Sequence, residues 1–264
     1  MSGTARTTVR NGVIEVRFEN SARLNAMDRT IADAIDEAAA RLAAESELRV
    51  LLIRTSGKYF SSGWDVVSGG PQPDFAGSTM EARRWYRAGG VQGLADRLEI
   101  IEKPVVVAHQ GICLGGALEL SLSCDFRLAS TATEYGLPEI DLGVIPGSGG
   151  VSRLTRVVGP HWARWLVMTG KRMSADRALA CGLAHEVFDA EDFDAQVDAF
   201  CDMLADKPPE VMAMSKITID LAAELGRGDA RTVERLANSV LFLGDERVQA
   251  YERFVNRKRS KPST

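Results

Sequence analysis

GICLGGALELSLSCDF, residues 111–126, and YGLPEIDLGVIPGSGG, residues 135–150, decide how the rest of the chain is read. Gly115 and Gly116 stand directly before Ala117, Leu118 and Glu119, and a second carboxylate, Glu139, follows twenty residues after Glu119. Paired glycines feeding a short apolar helix can present backbone N–H groups to an oxygen anion. They equally suit close packing of that helix on a strand, and the segment alone does not separate the two readings. Glu119 lies one turn into an otherwise apolar stretch, so burial is expected to raise its pKa unless a cation pairs with it. Both glutamates have a plain alternative: Glu119 as a buried structural carboxylate, Glu139 as a solvated loop residue. If the two converge near the glycines, they can move protons beside a stabilised anion.

Outward from that stretch, the elements alternate. Residues 13–18 alternate apolar and charged side chains after an Asn11-Gly12 turn, which predicts a half-buried strand. Asp28 is placed to cap an amphipathic helix reaching about residue 45. Residues 50–53 are continuously apolar, a strand covered on both faces. Residues 67–79 are rich in Gly, Pro and Ser and are expected to form an irregular, mobile connection. A helix is expected over 80–101, stopped by Lys103-Pro104, then strands at 105–108 and 124–129 around the glycine stretch. Beyond Gly150 the pattern is helical: 160–169, 175–181, 192–204, 208–225, 230–243 and 245–258. No fixed-period repeat is visible. Strand, helix and return recur three times in the first half, so a layered α/β core with a helical C-terminal region is predicted.

Composition excludes several classes. With 264 residues, 45% hydrophobic and 26% charged, the chain is long enough to bury a large core. A formal charge of −4 gives no electrostatic case for nucleic acid. The four cysteines are dispersed without a CxxC pair, which favours reduced thiols over a disulfide frame or a zinc site. The N-terminal residues have no apolar signal-peptide core and no apolar run reaches the length of a membrane span, so a soluble cytoplasmic protein is expected. GxSxG, the phosphate-loop Gly-Lys-Ser and HExxH are absent, and His109, His161 and His185 have no metal-ligand spacing. Cys113 fits a small buried thiol better than a nucleophile.

Four motifs in order, LNAM (residues 24–27), FSSGWD (60–65), GICLGGALEL (111–120) and PEIDLGVIPGSGG (138–150), resemble those of the enoyl-CoA hydratase/isomerase, or crotonase, family, over about residues 10–258. That resemblance implies an α/β spiral of ββα units over residues 1–200, holding the active site. It also implies a C-terminal helical region, 201–264, that assembles homotrimers or hexamers. It implies an acyl-CoA thioester as partner and substrate, with coenzyme A part of that substrate and neither cofactor nor metal required. Carried over position by position, the two oxyanion-hole amides fall on Trp64 and Gly116. The acid/base glutamates fall on Glu119 and Glu139, and substrate-binding positions on Arg23, Ala26, Ser62 and Asp65. Trp64 departs from the small residue common in the family, and only its main-chain N–H would serve the anion. Gly63-Trp64-Asp65, with residues 169–179, resembles the carnitinyl-CoA dehydratase branch. The basic tail around Arg257 and Lys258 is expected either at a CoA phosphate or free in solvent.

Overall fold

Strand follows strand and then helix four times in succession, and each turn stacks on the one before it. The computed structural model describes residues 4–66, 78–88 and 90–259. Most of the connection expected at 67–79, and the side chains of Arg257 and Lys258, lie outside the described residues. Two compact units divide between Ala205 and Asp206.

In the first unit, β1 (Ala5–Arg10) and β2 (Val13–Phe18) pair antiparallel across Asn11-Gly12, both with positive φ, 47° and 77°. A two-residue hairpin turn that matches strand twist needs such dihedrals. Residues 24–27 follow β2, and α1 (Arg29–Ala44) completes the turn. Its capping residue is Asp28, whose side chain accepts a bond from the Ile31 N–H at 3.1 Å. Ile31, Ile35, Ala38 and Leu42 recur at helical spacing and are buried. Asp28→Ala should therefore cost about 1 kcal/mol of stability, measured by urea denaturation.

The second turn is β3 (Val50–Thr55), residues 61–64, then α2 (Thr79–Ala88) and α3 (Gly90–Glu99). The third is β4 (Val105–His109), β5 (Ile112–Leu114) and α4 (Gly116–Ser121). The fourth is β6 (Phe126–Ser130), β7 (Glu134–Gly136), a 3-10 turn (Pro138–Leu142) and α5 (Gly150–Thr169). β8 (Met173–Ser174), α6 (Ala175–Ala180), β9 (Glu186–Phe188) and α7 (Phe193–Ala205) close the unit.

First strands make one sheet in the order β1-β2-β3-β4-β6-β9, parallel from β2 onward. Second strands make another layer: Met27 bridges Trp64, Ser61 bridges Cys113, β5 pairs with β7, and β7 with β8. The apolar core fills the space between these layers and the helices, with Phe18, Phe60, Leu94 and Tyr135 among its fully buried side chains. This is the expected spiral of ββα turns. The repeat escapes a periodicity search because the loops between its parts differ in length. The structure nevertheless places each of the four sequence motifs at the same corner of its turn, where the second strand gives way to helix.

Two expectations change. β2 is buried on both faces, not one. Its Glu15 lies 2.6 Å from Arg54 and 2.7 Å from Arg17, and Arg54 reaches Asp198 and Asp194 of α7. Burial opposes ionisation of Glu15, but the bonds from Arg54 and Arg17 hold its carboxyl below the usual range. Residues 79–88 and 90–99 are helical, as expected over 80–101. α5 starts ten residues before the expected Pro160 and bends at Gly159 (φ 70°, ψ 167°), where Pro160 cannot donate to the preceding turn.

The second unit holds α8 (Pro209–Glu224), α9 (Arg227–Phe242) and α10 (Asp245–Arg259). α8 packs on α9, and the Glu210 N–H donates to Glu246 at 3.0 Å. Leu236, Val240, Phe242 and Leu243 stay exposed. No helix among the described residues is long and apolar enough to cross a membrane.

Candidate active site

The corners of turns one to four converge on one place. Residues 24–27 run beside 62–65, tied by Ser62 N–H to Leu24 O (3.0 Å), Met27 N–H to Gly63 O (2.8 Å) and Asp65 N–H to Met27 O (2.8 Å). In an extended chain successive peptide groups point to opposite sides. With the Gly63 carbonyl and the Asp65 N–H spent on Met27, the Trp64 N–H must face away from it. Gly116 lies on that side: a β-carbon placed on Gly116 would sit 3.5 Å from the Trp64 nitrogen. As the first residue of α4, Gly116 has no intrahelical partner for its N–H. Neither the Trp64 nor the Gly116 N–H donates a hydrogen bond among the described residues.

Close approach requires the glycines. Gly63 has φ 104°, and a β-carbon there would lie 2.9 Å from the Leu114 carbonyl. Gly115 has φ 52°, its N–H donates to Gly136 O at 2.9 Å, and a β-carbon on it would lie 3.0 Å from Glu139 Oε1. The Glu139 carboxylate thus rests over the Gly115-Gly116 corner.

Glu119 is 5% exposed, and its Oε1 accepts the Ser148 N–H at 2.7 Å and the Gly150 N–H at 3.1 Å. Burial pushes its pKa up to about 7, reinforced by Glu139 and opposed by those two bonds and by Arg153. Burial also raises the pKa of Glu139, whose Oε2 is buried and has no hydrogen-bond partner among the described residues. The arrangement offers two N–H donors unspent among the described residues and two carboxyls whose pKa values burial raises, that of Glu119 to about 7. That combination can hold a carbonyl oxygen as negative charge develops on it, while protons move at neighbouring atoms.

The linkage is testable. Glu119 binds its proton more tightly folded than unfolded, so its contribution to stability should be lost as pH rises from about 4.5 to about 7. Glu119→Gln should accordingly gain stability over the parent at pH 8 but not at pH 4, on the order of 1–3 kcal/mol, by urea denaturation at each pH.

The enoyl-CoA hydratase/isomerase family model matches residues 8–261. The chain belongs to this family. It is 28% identical to the short-chain-enoyl-CoA hydratase of Clostridium acetobutylicum, over 94% of this chain and 92% of that protein. It is 32% identical to the carnitinyl-CoA dehydratase of Proteus mirabilis, over 85% of this chain and 83% of that one. An enoyl-CoA hydratase subunit I structure from Geobacillus kaustophilus superposes with a TM-score of 0.86 at 28% identity, covering 98% and 97% of the two chains. The crotonase fold therefore extends over both units of this member.

Of the eight positions assigned from the family's motifs, Trp64, Gly116, Glu119 and Glu139 come together. Ser62 and Ala26 lie on the paired segments beside them, Ala26 buried. Arg23 and Asp65, both expected at the substrate, bind each other at 2.9 Å, and the Asp65 side chain is 4% exposed. That pair ties the corner of the first turn to the residue after Trp64. The motifs also hold a contributor that sequence reasoning passed over. Asn25 is fully buried with φ 51°, donates to the carbonyls of Ser56 (2.9 Å) and Tyr59 (2.7 Å), and accepts from the Asn20 N–H. Its signal was available: asparagine is, after glycine, the residue that best tolerates left-handed backbone.

Proposed function

We propose that the protein is an enoyl-CoA hydratase, adding water reversibly across the 2,3-double bond of a CoA thioester. The observation that carries this reading is the pair of unspent N–H groups, Trp64 and Gly116, beside the unpartnered Glu139 Oε2. The thioester carbonyl oxygen would accept both N–H groups. As the water oxygen bonds to the β-carbon, the π electrons move onto that oxygen, giving an enolate. One carboxylate takes the proton lost by water, and a carboxylic acid returns one to the α-carbon, restoring the carbonyl. Nothing is oxidised or reduced, so the reading calls for no cofactor, coenzyme A being part of the substrate. Two carboxyls favour hydration, or its reverse, over double-bond migration, which can run with one.

The family membership and the relatives' names support a CoA thioester, and the four cysteines, none in a disulfide, support a reducing cytoplasm. Exposed Leu236, Val240, Phe242 and Leu243 support assembly into trimers or hexamers through the C-terminal helices, which light scattering would count.

Purified protein given crotonyl-CoA should remove the conjugated enoyl absorbance. Activity on a 3-enoyl-CoA that survives Glu139→Gln would make it an isomerase instead. Tight CoA binding without turnover across chain lengths would make it an acyl-CoA-binding scaffold.

A further inference from the structure

Arg153 lies one turn into α5 and touches neither the Trp64 nor the Gly116 N–H group, yet all three nitrogens of its guanidinium are engaged. Nε and Nη2 grip Glu99 at 2.6 and 2.7 Å, Nη2 also meets Asp96 at 2.5 Å, and Nη1 donates to the Ser148 carbonyl at 3.2 Å. Asp96 and Glu99 belong to the last part of α3, so the arginine bridges α3 to the turn at residues 147–150. The opposite side of that turn carries the Ser148 and Gly150 N–H groups that Glu119 accepts.

Both glycines at 149 and 150 are needed for this stack. A β-carbon on Gly149, which has φ 92°, would fall inside the Arg153 guanidinium. One on Gly150 would lie 2.8 Å from Glu119 Oε1 and 2.6 Å from the Pro146 ring. The motif PGSGG thus leaves room for an arginine on one side and a carboxyl on the other. Only a planar fork with several donors can hold two carboxylates and a carbonyl together; a lysine ammonium is a single point charge.

We propose that Arg153 is a positioning residue: anchored on Asp96 and Glu99, it fixes the Ser148 turn so that the Ser148 and Gly150 N–H groups stay aimed at Glu119, and so sets how readily that carboxyl gives up its proton. The inference rests on the proposed role of Glu119 in proton transfer. Among the described residues, the charges acting on Glu119 are Glu139 from the 3-10 turn, which favours its protonated form, and Arg153 from α5, which favours its ionised form. Asp96 and Glu99 of α3 stand behind the arginine and hold it in place. Releasing Arg153 therefore removes stabilisation of the carboxylate in two ways: the cation retreats, and the two N–H donors lose their aim.

The test is a pH titration of the full-length protein labelled with 13C at the glutamate carboxyls, the Glu119 resonance assigned by its loss in Glu119→Gln. Arg153→Met removes the cation and the tether; Asp96→Ala with Glu99→Ala keeps the cation and removes the carboxylates that anchor it. In both, the Glu119 midpoint is expected to rise by about one unit above the parent's. A merely structural arginine would lower the melting temperature and leave the midpoint where it was. Unmoved midpoints in variants whose far-UV circular dichroism matches the parent would overturn the inference. If Arg153→Met does not fold, the double variant decides. The titration needs no substrate. A parent inactive on enoyl-CoA would overturn the proposed function and not this coupling, while unmoved midpoints in an active parent would do the reverse.

Discussion

Glu119→Gln and Glu139→Gln should each lower kcat on crotonyl-CoA by about 10²–10⁴. The loss should be chemical and not structural. A glutamine at 119 keeps an oxygen that can accept the Ser148 and Gly150 N–H groups at 2.7 and 3.1 Å, so the turn that cradles it stays formed. What disappears is a group able to gain and lose a proton near neutrality, in a site where burial has already moved the carboxyl into that range. Glutamine at 139 likewise occupies the same volume over Gly115, but its buried Oε2 position becomes one end of an amide that cannot take a proton from water. KM should change little, because the two N–H groups expected to hold the thioester oxygen are untouched. The double variant should fall far short of the product of the two single losses, since residues acting on one transition state do not contribute additively. Steady-state assays at several pH values check this. Single variants retaining more than a tenth of the parent kcat would remove the carboxyls from the chemistry.

Gly63→Ala should cost about 10²–10³ in kcat, the loss expected when one oxyanion donor is removed. Alanine carries its β-carbon to 2.9 Å from the Leu114 carbonyl, at a φ of 104° that L-residues rarely adopt. Leu114 cannot retreat freely, because its own N–H donates to Ser61 O at 3.1 Å and Ser61 N–H to Ile112 O at 2.9 Å. The strain, about 1–3 kcal/mol, is therefore relieved by movement of residues 62–65, and the Trp64 N–H moves with them. Trp64→Phe is the control. It keeps the same peptide group, so kcat should stay within about tenfold of the parent, with any larger effect confined to the choice of acyl chain. Equal kcat in Gly63→Ala and the parent, measured on protein shown to be folded, would mean that this N–H carries no developing charge.

Local chemistry explains which features were legible from the chain alone. The Asn11-Gly12 hairpin, the Asp28 cap and the buried strand at residues 50–53 follow from dihedral preferences, capping and hydrophobic runs, all properties of neighbours in sequence. The convergence of Trp64, Gly116, Glu119 and Glu139 was reachable only through four motifs in order, because the contacts joining them span separate turns of the spiral. β2 was misjudged for the same reason: alternating charges predict a solvated face, but α7, from far along the chain, brings Asp194 and Asp198 to Arg54 and covers that face. The pairing of Arg23 with Asp65 and the grip of Arg153 on Asp96 and Glu99 leave no local mark, since charged residues of that kind are ordinary on any surface.

By itself the sequence determined the class of layers, the corners where glycine is obligatory and the residue types able to hold an anion and move protons, because steric and desolvation rules act on each short stretch. Tertiary structure alone decided which of those groups remain unspent. Pairing with residues 24–27 turns the Trp64 N–H toward Gly116, and packing buries Glu119 and half-buries Glu139 near it, so that desolvation raises both their pKa values.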